Sequence, residues 1–132
     1  MKLMLMALGA AFVLAGCAAG IQSSGSPSVS YTVPRNFETV YLRVQHQANE
    51  CLTGHHQYGV YAQLDSPGRQ ASVVVKTPVG AGEVARTELK ALDARNTQVT
   101  HTVWGHSPWD ARALQAMRES VLLDTTVCVV YR

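Results

Sequence analysis

Histidine is the residue type in this chain best suited to bind a metal ion or to transfer protons near neutral pH. Zinc requires three or four ligands that converge in space. The histidines show neither HxH nor HExxH spacing, and His101 lies between Val99 and Val103, which favours a buried position. We therefore expect no metal site. The five histidines are His46, His55, His56, His101 and His106.

The carboxylates and hydroxyls of the chain show no catalytic signature. Each aspartate lies at a predicted turn or helix boundary, where capping explains it. Ser107 is expected to cap a helix, and the chain contains no G-x-S-x-G elbow. Gly80-Ala81-Gly82 joins two predicted strands, so it lacks the helix that a phosphate-binding loop requires. The sequence therefore predicts a non-catalytic protein without a cofactor.

An apolar run near the N-terminus is followed directly by a polar, uncharged stretch. Met1-Lys2 supplies a positive charge, and residues 3–13 are all apolar or small. A helix of that length spans about 16 Å, roughly half of a bilayer's hydrocarbon core. The run is too short to cross a membrane and is typical of a signal peptide.

Leu14-Ala15-Gly16-Cys17 closes this run and resembles the lipobox of bacterial lipoproteins. The resemblance implies that the segment before Cys17 is removed and that this cysteine carries acyl chains such as palmitate. Ala18, in the position where aspartate favours inner-membrane retention, implies sorting to the outer membrane. The expected location is the outer membrane, with the domain in the periplasm. The alternative is a secretory signal cut by ordinary signal peptidase.

With Cys17 assigned to lipid, two cysteines remain, Cys51 and Cys128. Two cysteines in an oxidising compartment have one possible pairing. We therefore predict a disulfide between them, and the alternative is a pair of buried free thiols. No histidine or basic residue is assigned to activate either one as a nucleophile.

The charge of the chain is small and dispersed. Its 132 residues include 11 basic and 9 acidic side chains, for a formal net charge of +2. No basic stripe suited to nucleic acid appears, and no polybasic segment suited to anionic lipid. The length predicts one domain, attached to the membrane through the acyl chains on Cys17.

Residues 18–30 are rich in Gly, Ser, Ala and Pro, which predicts a flexible tether ahead of that domain. The expected boundaries are 1–16 for the signal peptide, 17–33 for the lipidated cysteine and tether, and 34–132 for the globular domain.

Two helices are expected in the globular domain. Pro34 is expected to begin a helix that has one apolar face and ends at Gly54. Ser107, Pro108 and Asp110 predict the start of a second helix.

Between the helices, four stretches alternate apolar with polar residues: 57–64, 70–77, 84–91 and 98–104. Residues 83–92 are also compatible with a helix. Short connections and one-sided alternation favour an antiparallel meander with one covered face. The order α-β-β-β-β-α predicts an α+β two-layer sandwich, with a four-stranded antiparallel sheet and two helices on one face.

The opposite face of the sheet is a candidate interaction surface. Tyr61, Val74, Val84 and Trp104 are expected there among polar residues. Such a mixture is typical of recognition surfaces, although scattered exposed apolar residues are also normal. The loop from Trp104 to Trp109 is a second candidate because tryptophan is common at binding hot spots. Alternatively, both rings pack under the second helix.

Two functions are compatible with these features. The first is non-catalytic protein–protein interaction, as an accessory protein of the cell envelope. The second is binding of a small ligand or peptidoglycan, in a pocket between the first helix and the sheet that Tyr41 or Tyr58 would line.

Overall fold

The computed structural model describes residues 20–80 and 82–129 of the chain. The elements are β1 (Ser28–Val33), α1 (Phe37–Cys51), β2 (Gly59–Asp65), β3 (Gln70–Lys76), β4 (Glu83–Ala91), β5 (Thr97–Val103) and α2 (Ala111–Leu123). One antiparallel sheet packs against the two helices, and the strand order in the sheet is β1-β5-β4-β3-β2.

The α+β class is confirmed, but the sheet has five strands where the sequence predicts four. The additional strand, β1, lies in the segment assigned to the tether. Val29, Tyr31 and Val33 alternate towards the helices along this strand. The intervening side chains are polar and face the open side, where the Ser28 and Thr102 hydroxyls lie 3.0 Å apart. The Gly- and Ser-rich composition hid this alternation.

Residues 20–27 also lie against the domain, so the tether prediction is wrong for residues 20–33. The Ile21 amide donates to the Glu83 carbonyl at 2.7 Å, and the Val103 amide donates to the Pro27 carbonyl at 3.0 Å. Cys17, the predicted signal peptide and the first residues of the tether lie outside the described residues.

Side-chain caps set the start of α1. The helix begins at Phe37 and not at Pro34, because the Asn36 side chain accepts a hydrogen bond from the Thr39 amide at 3.0 Å. Asparagine at this position satisfies an amide that the first helical turn leaves unpaired.

The start of α2 also differs from the predicted one. The Asp110 carboxylate accepts hydrogen bonds from the amides of Arg112 and Ala113, at 3.0 and 3.4 Å. Asp110 is therefore the N-cap, and Ser107 and Pro108 lie in the preceding loop. An aspartate carboxylate is among the strongest N-capping groups, which explains why the helix begins after it.

The core lies between the helices and one face of the sheet. The helices contact each other; α1 packs on β2, β3 and β4, while α2 packs on β5 and β1. Most of the buried apolar side chains come from valine on the strands and from valine, alanine and methionine on the helices. Among the described residues, no helix is long and apolar enough to cross a membrane.

Candidate functional site

The face of the sheet opposite the helices is uncovered and mainly polar. Arg86, on β4, forms ion pairs with Glu83 and with Glu88, the latter at 3.3 Å. Serine and threonine hydroxyls pair across β1 and β5, as at Ser30 and Thr100, 2.9 Å apart. A groove of about 820 Å³ lies on this face. Its lining includes Gln63, Ser72, Glu88, Lys90, Gln98 and Thr100.

Only part of the predicted apolar patch is exposed on this face. Tyr61 is 55% exposed, and the Lys76 ammonium lies 4.9 Å from the centroid of its ring. Val74 is on the same face but only 8% exposed, because it lies between Tyr61 and Arg86 in the strand register. The predicted exposure of Val74 is therefore wrong.

Val84 is fully buried, which also contradicts the prediction. The register between β3 and β4 shifts at this point: Val75 faces Ala85, whereas Lys76 faces Glu83. The residue between those two β4 positions is the extra residue of a β-bulge, so strict alternation breaks there. Val84 and Ala85 consequently both enter the core.

The loop between β5 and α2 separates its two tryptophans. Trp109 is 4% exposed, and its indole nitrogen donates to the Leu52 carbonyl at 2.9 Å. Its ring meets Tyr58 edge-on, with centroids 4.3 Å apart. Trp109 is thus a core residue, and its prediction as an interaction residue is wrong. Trp104 is half-buried, and the centroids of its ring and of the His106 ring are 4.5 Å apart.

The space between α1 and the sheet, where the sequence placed a possible ligand pocket, is filled by core side chains. Val40, Val44 and Ala48 on α1 are buried and belong to the same cluster as the strand valines. Tyr41 and Tyr58 pack against this cluster. The packing therefore gives no support to the ligand-binding alternative at this position.

Hydrogen-bonded polar side chains link β1, β5 and β4 on the face of the sheet that packs against the helices. His101 is fully buried, as the sequence predicts; its Nε2 lies 2.7 Å from the Tyr31 hydroxyl and its Nδ1 lies 2.7 Å from the Thr87 hydroxyl. Burial lowers the pKa of His101 to about 3. Burial also raises the pKa of Tyr31, against the opposing effect of the Arg118 charge. The imidazole is therefore neutral, and both its nitrogens have partners.

The burial of this histidine is expected to make the free energy of unfolding sensitive to acid. The unfolded chain takes up a proton at the ordinary histidine pKa of 6.5, whereas folded His101 does not until about pH 3. The unfolded state then binds more protons between these values, so the free energy of unfolding is expected to fall as pH drops below 6.5. The loss approaches about 1.4 kcal/mol per pH unit.

Denaturant titrations between pH 7 and pH 4 measure this slope. The matched control is His101→Gln, which keeps hydrogen-bonding groups but does not titrate. Its stability at pH 7 is expected to be lower, and its decline with acid shallower by about 1 kcal/mol per pH unit. Parallel slopes for the two proteins would contradict the prediction.

No group of three His, Cys, Asp or Glu side chains within residues 20–80 and 82–129 is arranged to hold a metal ion. Exposed His46 instead contacts Glu50, one helical turn away on α1, at 2.7 Å.

The structure joins Cys51 and Cys128 in a disulfide, with Cα atoms 5.2 Å apart. The bond ties the segment after α2 to the end of α1. Hydrogen bonds hold the same segment: the Val127 amide donates to the Ser120 hydroxyl at 2.9 Å, and the Gln47 side chain donates to the Val127 carbonyl at 3.3 Å. This segment therefore packs along the helices, without strand pairing at residues 127–129.

Comparison of the chain with protein-family models and with curated protein sequences finds no match.

Proposed function

We propose that this protein is an outer-membrane lipoprotein that faces the periplasm and takes part in non-catalytic protein–protein interaction within the cell envelope. The lipobox-like stretch Leu14-Ala15-Gly16-Cys17 supports the anchor. The Cys51–Cys128 disulfide fits this proposal because such bonds persist in oxidising compartments.

The observation that carries the interaction role is the uncovered face of the sheet. It presents a groove lined by amide, hydroxyl and charged groups, beside the exposed ring of Tyr61. Many transient protein interfaces combine an aromatic residue with polar residues. Such interfaces are no more apolar than the rest of the protein's surface. The helices fill the other face, so a partner would approach from the open side.

The anchor is tested by metabolic labelling with a fatty-acid analogue. Wild-type protein is expected to incorporate the label, and Cys17→Ser is expected to lose it, since the acyl chains would be attached through this side chain. The matched control is the double variant Cys51→Ala/Cys128→Ala, which should retain the label. Equal incorporation by wild type and Cys17→Ser would contradict lipid anchoring.

The interaction role is tested by site-specific photo-crosslinking in intact envelopes. A photoreactive amino acid at Ser72, on the open face, is expected to give one defined adduct that Tyr61→Ala weakens. The control position is Leu42 on α1, which is 63% exposed but belongs to the helix layer. Adducts that are the same from both positions, or unaffected by Tyr61→Ala, would contradict a role for the open face.

A further inference from the structure

The chain enters the folded domain at a fixed point on β4. Gly20 is buried, has a φ of +119°, and leaves no room for a side chain, because a Cβ would lie 2.7 Å from the Glu83 carbonyl oxygen. Only glycine adopts this conformation at little cost. The next residue, Ile21, donates its amide to the same carbonyl at 2.7 Å. The start of the domain is therefore held against the first residue of β4.

The distance from this point to the proposed lipid anchor is short. Three peptide units separate Cys17 from Gly20, and even fully extended they reach about 11 Å. A lipidated cysteine lies at the bilayer surface because its acyl chains are in the hydrocarbon. Gly20, which contacts the first residue of β4, would therefore lie within about 11 Å of that surface.

The connection from β3 to β4, at the same end of the sheet as Gly20, carries an exposed apolar side chain at its tip. Val79, in the connection from β3 to β4, is 89% exposed. Ile21, Val79 and Gly80 line one groove of about 840 Å³, which places the entering chain and this tip side by side. Lys76 and Tyr61 stack together near the same end of the sheet, where β2 begins and β3 ends. Apolar, aromatic and basic side chains are the types enriched at membrane interfaces.

We propose that this end of the sheet rests on the phospholipid surface, with Val79 among the headgroups. The inference rests on the proposed lipidation of Cys17 and specifies the orientation that follows from it. The strand axes are then roughly perpendicular to the bilayer plane. The open face of the sheet is also perpendicular to the bilayer, so it is accessible from the periplasm. The β4–β5 turn lies at the far end, about 26 Å further out for the nine residues of β4.

Two single-cysteine labels test this orientation. Val79→Cys and Ala94→Cys place a fluorophore at the near and far ends of the sheet, and the disulfide keeps Cys51 and Cys128 unreactive. The full chain is produced with its own signal sequence and reconstituted into phosphatidylethanolamine/phosphatidylglycerol vesicles containing headgroup-nitroxide lipid. We expect several-fold stronger quenching at position 79 than at position 94. Equal quenching at the two positions would overturn the proposal.

A linker variant tests whether quenching at position 79 depends on the short connection to Cys17 or arises from attraction between the fluorophore and lipid. Twenty Gly and Ser residues inserted between Ala19 and Gly20 keep the anchor but free the domain. Quenching at position 79 is expected to fall towards the value at position 94. Unchanged quenching would show that contact with lipid at position 79 does not depend on the short connection, which would overturn the proposal.

Vesicle flotation of the unlabelled protein distinguishes failure of the orientation from failure of the anchor. Wild-type protein that does not float with the vesicles contradicts lipid anchoring, and the orientation falls with it. Wild-type protein that floats, with equal quenching at both labels, contradicts the orientation alone and leaves the anchor supported.

Discussion

Replacement of Trp109 by alanine is expected to lower the free energy of unfolding by about 3–5 kcal/mol, the usual loss for a buried aromatic residue. The indole fills the space at the C-terminal end of α1, edge-on to Tyr58, and only 4% of the residue is exposed. Its removal also leaves the Leu52 carbonyl without the hydrogen bond that the indole nitrogen donates. Both effects act in the same direction.

Denaturant titration by circular dichroism measures this loss. Trp109→Phe is the matched control because it keeps an aromatic ring but cannot donate to Leu52; we expect it to lose about 1–3 kcal/mol, the cost of an unpaired buried acceptor. Trp104→Ala, at the half-buried end of the same loop, should cost less than Trp109→Ala. Similar losses for the two tryptophans would show that Trp109 is not the core residue described above.

Removal of the disulfide is the second change with a large expected effect. The Cys51→Ala/Cys128→Ala variant should be less stable by about 2–5 kcal/mol, the usual range for small secreted domains. The two cysteines are separated by 77 positions, and the chain-entropy account gives about 4.5 kcal/mol for a loop of that length. The loss would arise chiefly because the unfolded chain regains freedom.

Denaturation with and without reductant measures this effect. Wild-type protein should shift to a lower denaturant midpoint on reduction, whereas the double variant should not respond. Two free thiols in the oxidised, denatured protein would contradict the disulfide. A midpoint that reductant leaves unchanged would contradict its stabilising role.

The elements with long, regular patterns were predictable from the sequence. The apolar spacing of α1 and the alternation in β2 to β5 gave their class and order, although both helices begin later than predicted and α1 ends at Cys51, ahead of Gly54. β1 was not predicted because Ser28–Val33 is short and serine-rich. Its three inward-facing residues indicate a strand only when β1 is seen paired with β5. Strand pairing is a non-local interaction that a local composition does not reveal.

The candidate site was harder to predict because exposure depends on neighbours across strands. Alternation places Val74 on the open face correctly, but Tyr61 and Arg86 flank it and reduce its exposure to 8%. Alternation fails at Val84, because the bulge inserts one extra residue into β4. For Trp109, the sequence left surface and core roles open, and the hydrogen bond to Leu52 distinguishes them.

The position of β1 determines how the domain would carry mechanical load. Tension between the proposed membrane anchor and a partner on the open face would first load the contact of Gly20 and Ile21 with β4. Once that contact opens, the tension would pull on β1 from its N-terminal end. β1 is joined to β5 by six residue pairs in an antiparallel ladder, whose hydrogen bonds lie across the strands. A pull along the strand loads these bonds together in shear, so the edge strand would resist detachment far better than if it were peeled away one pair at a time.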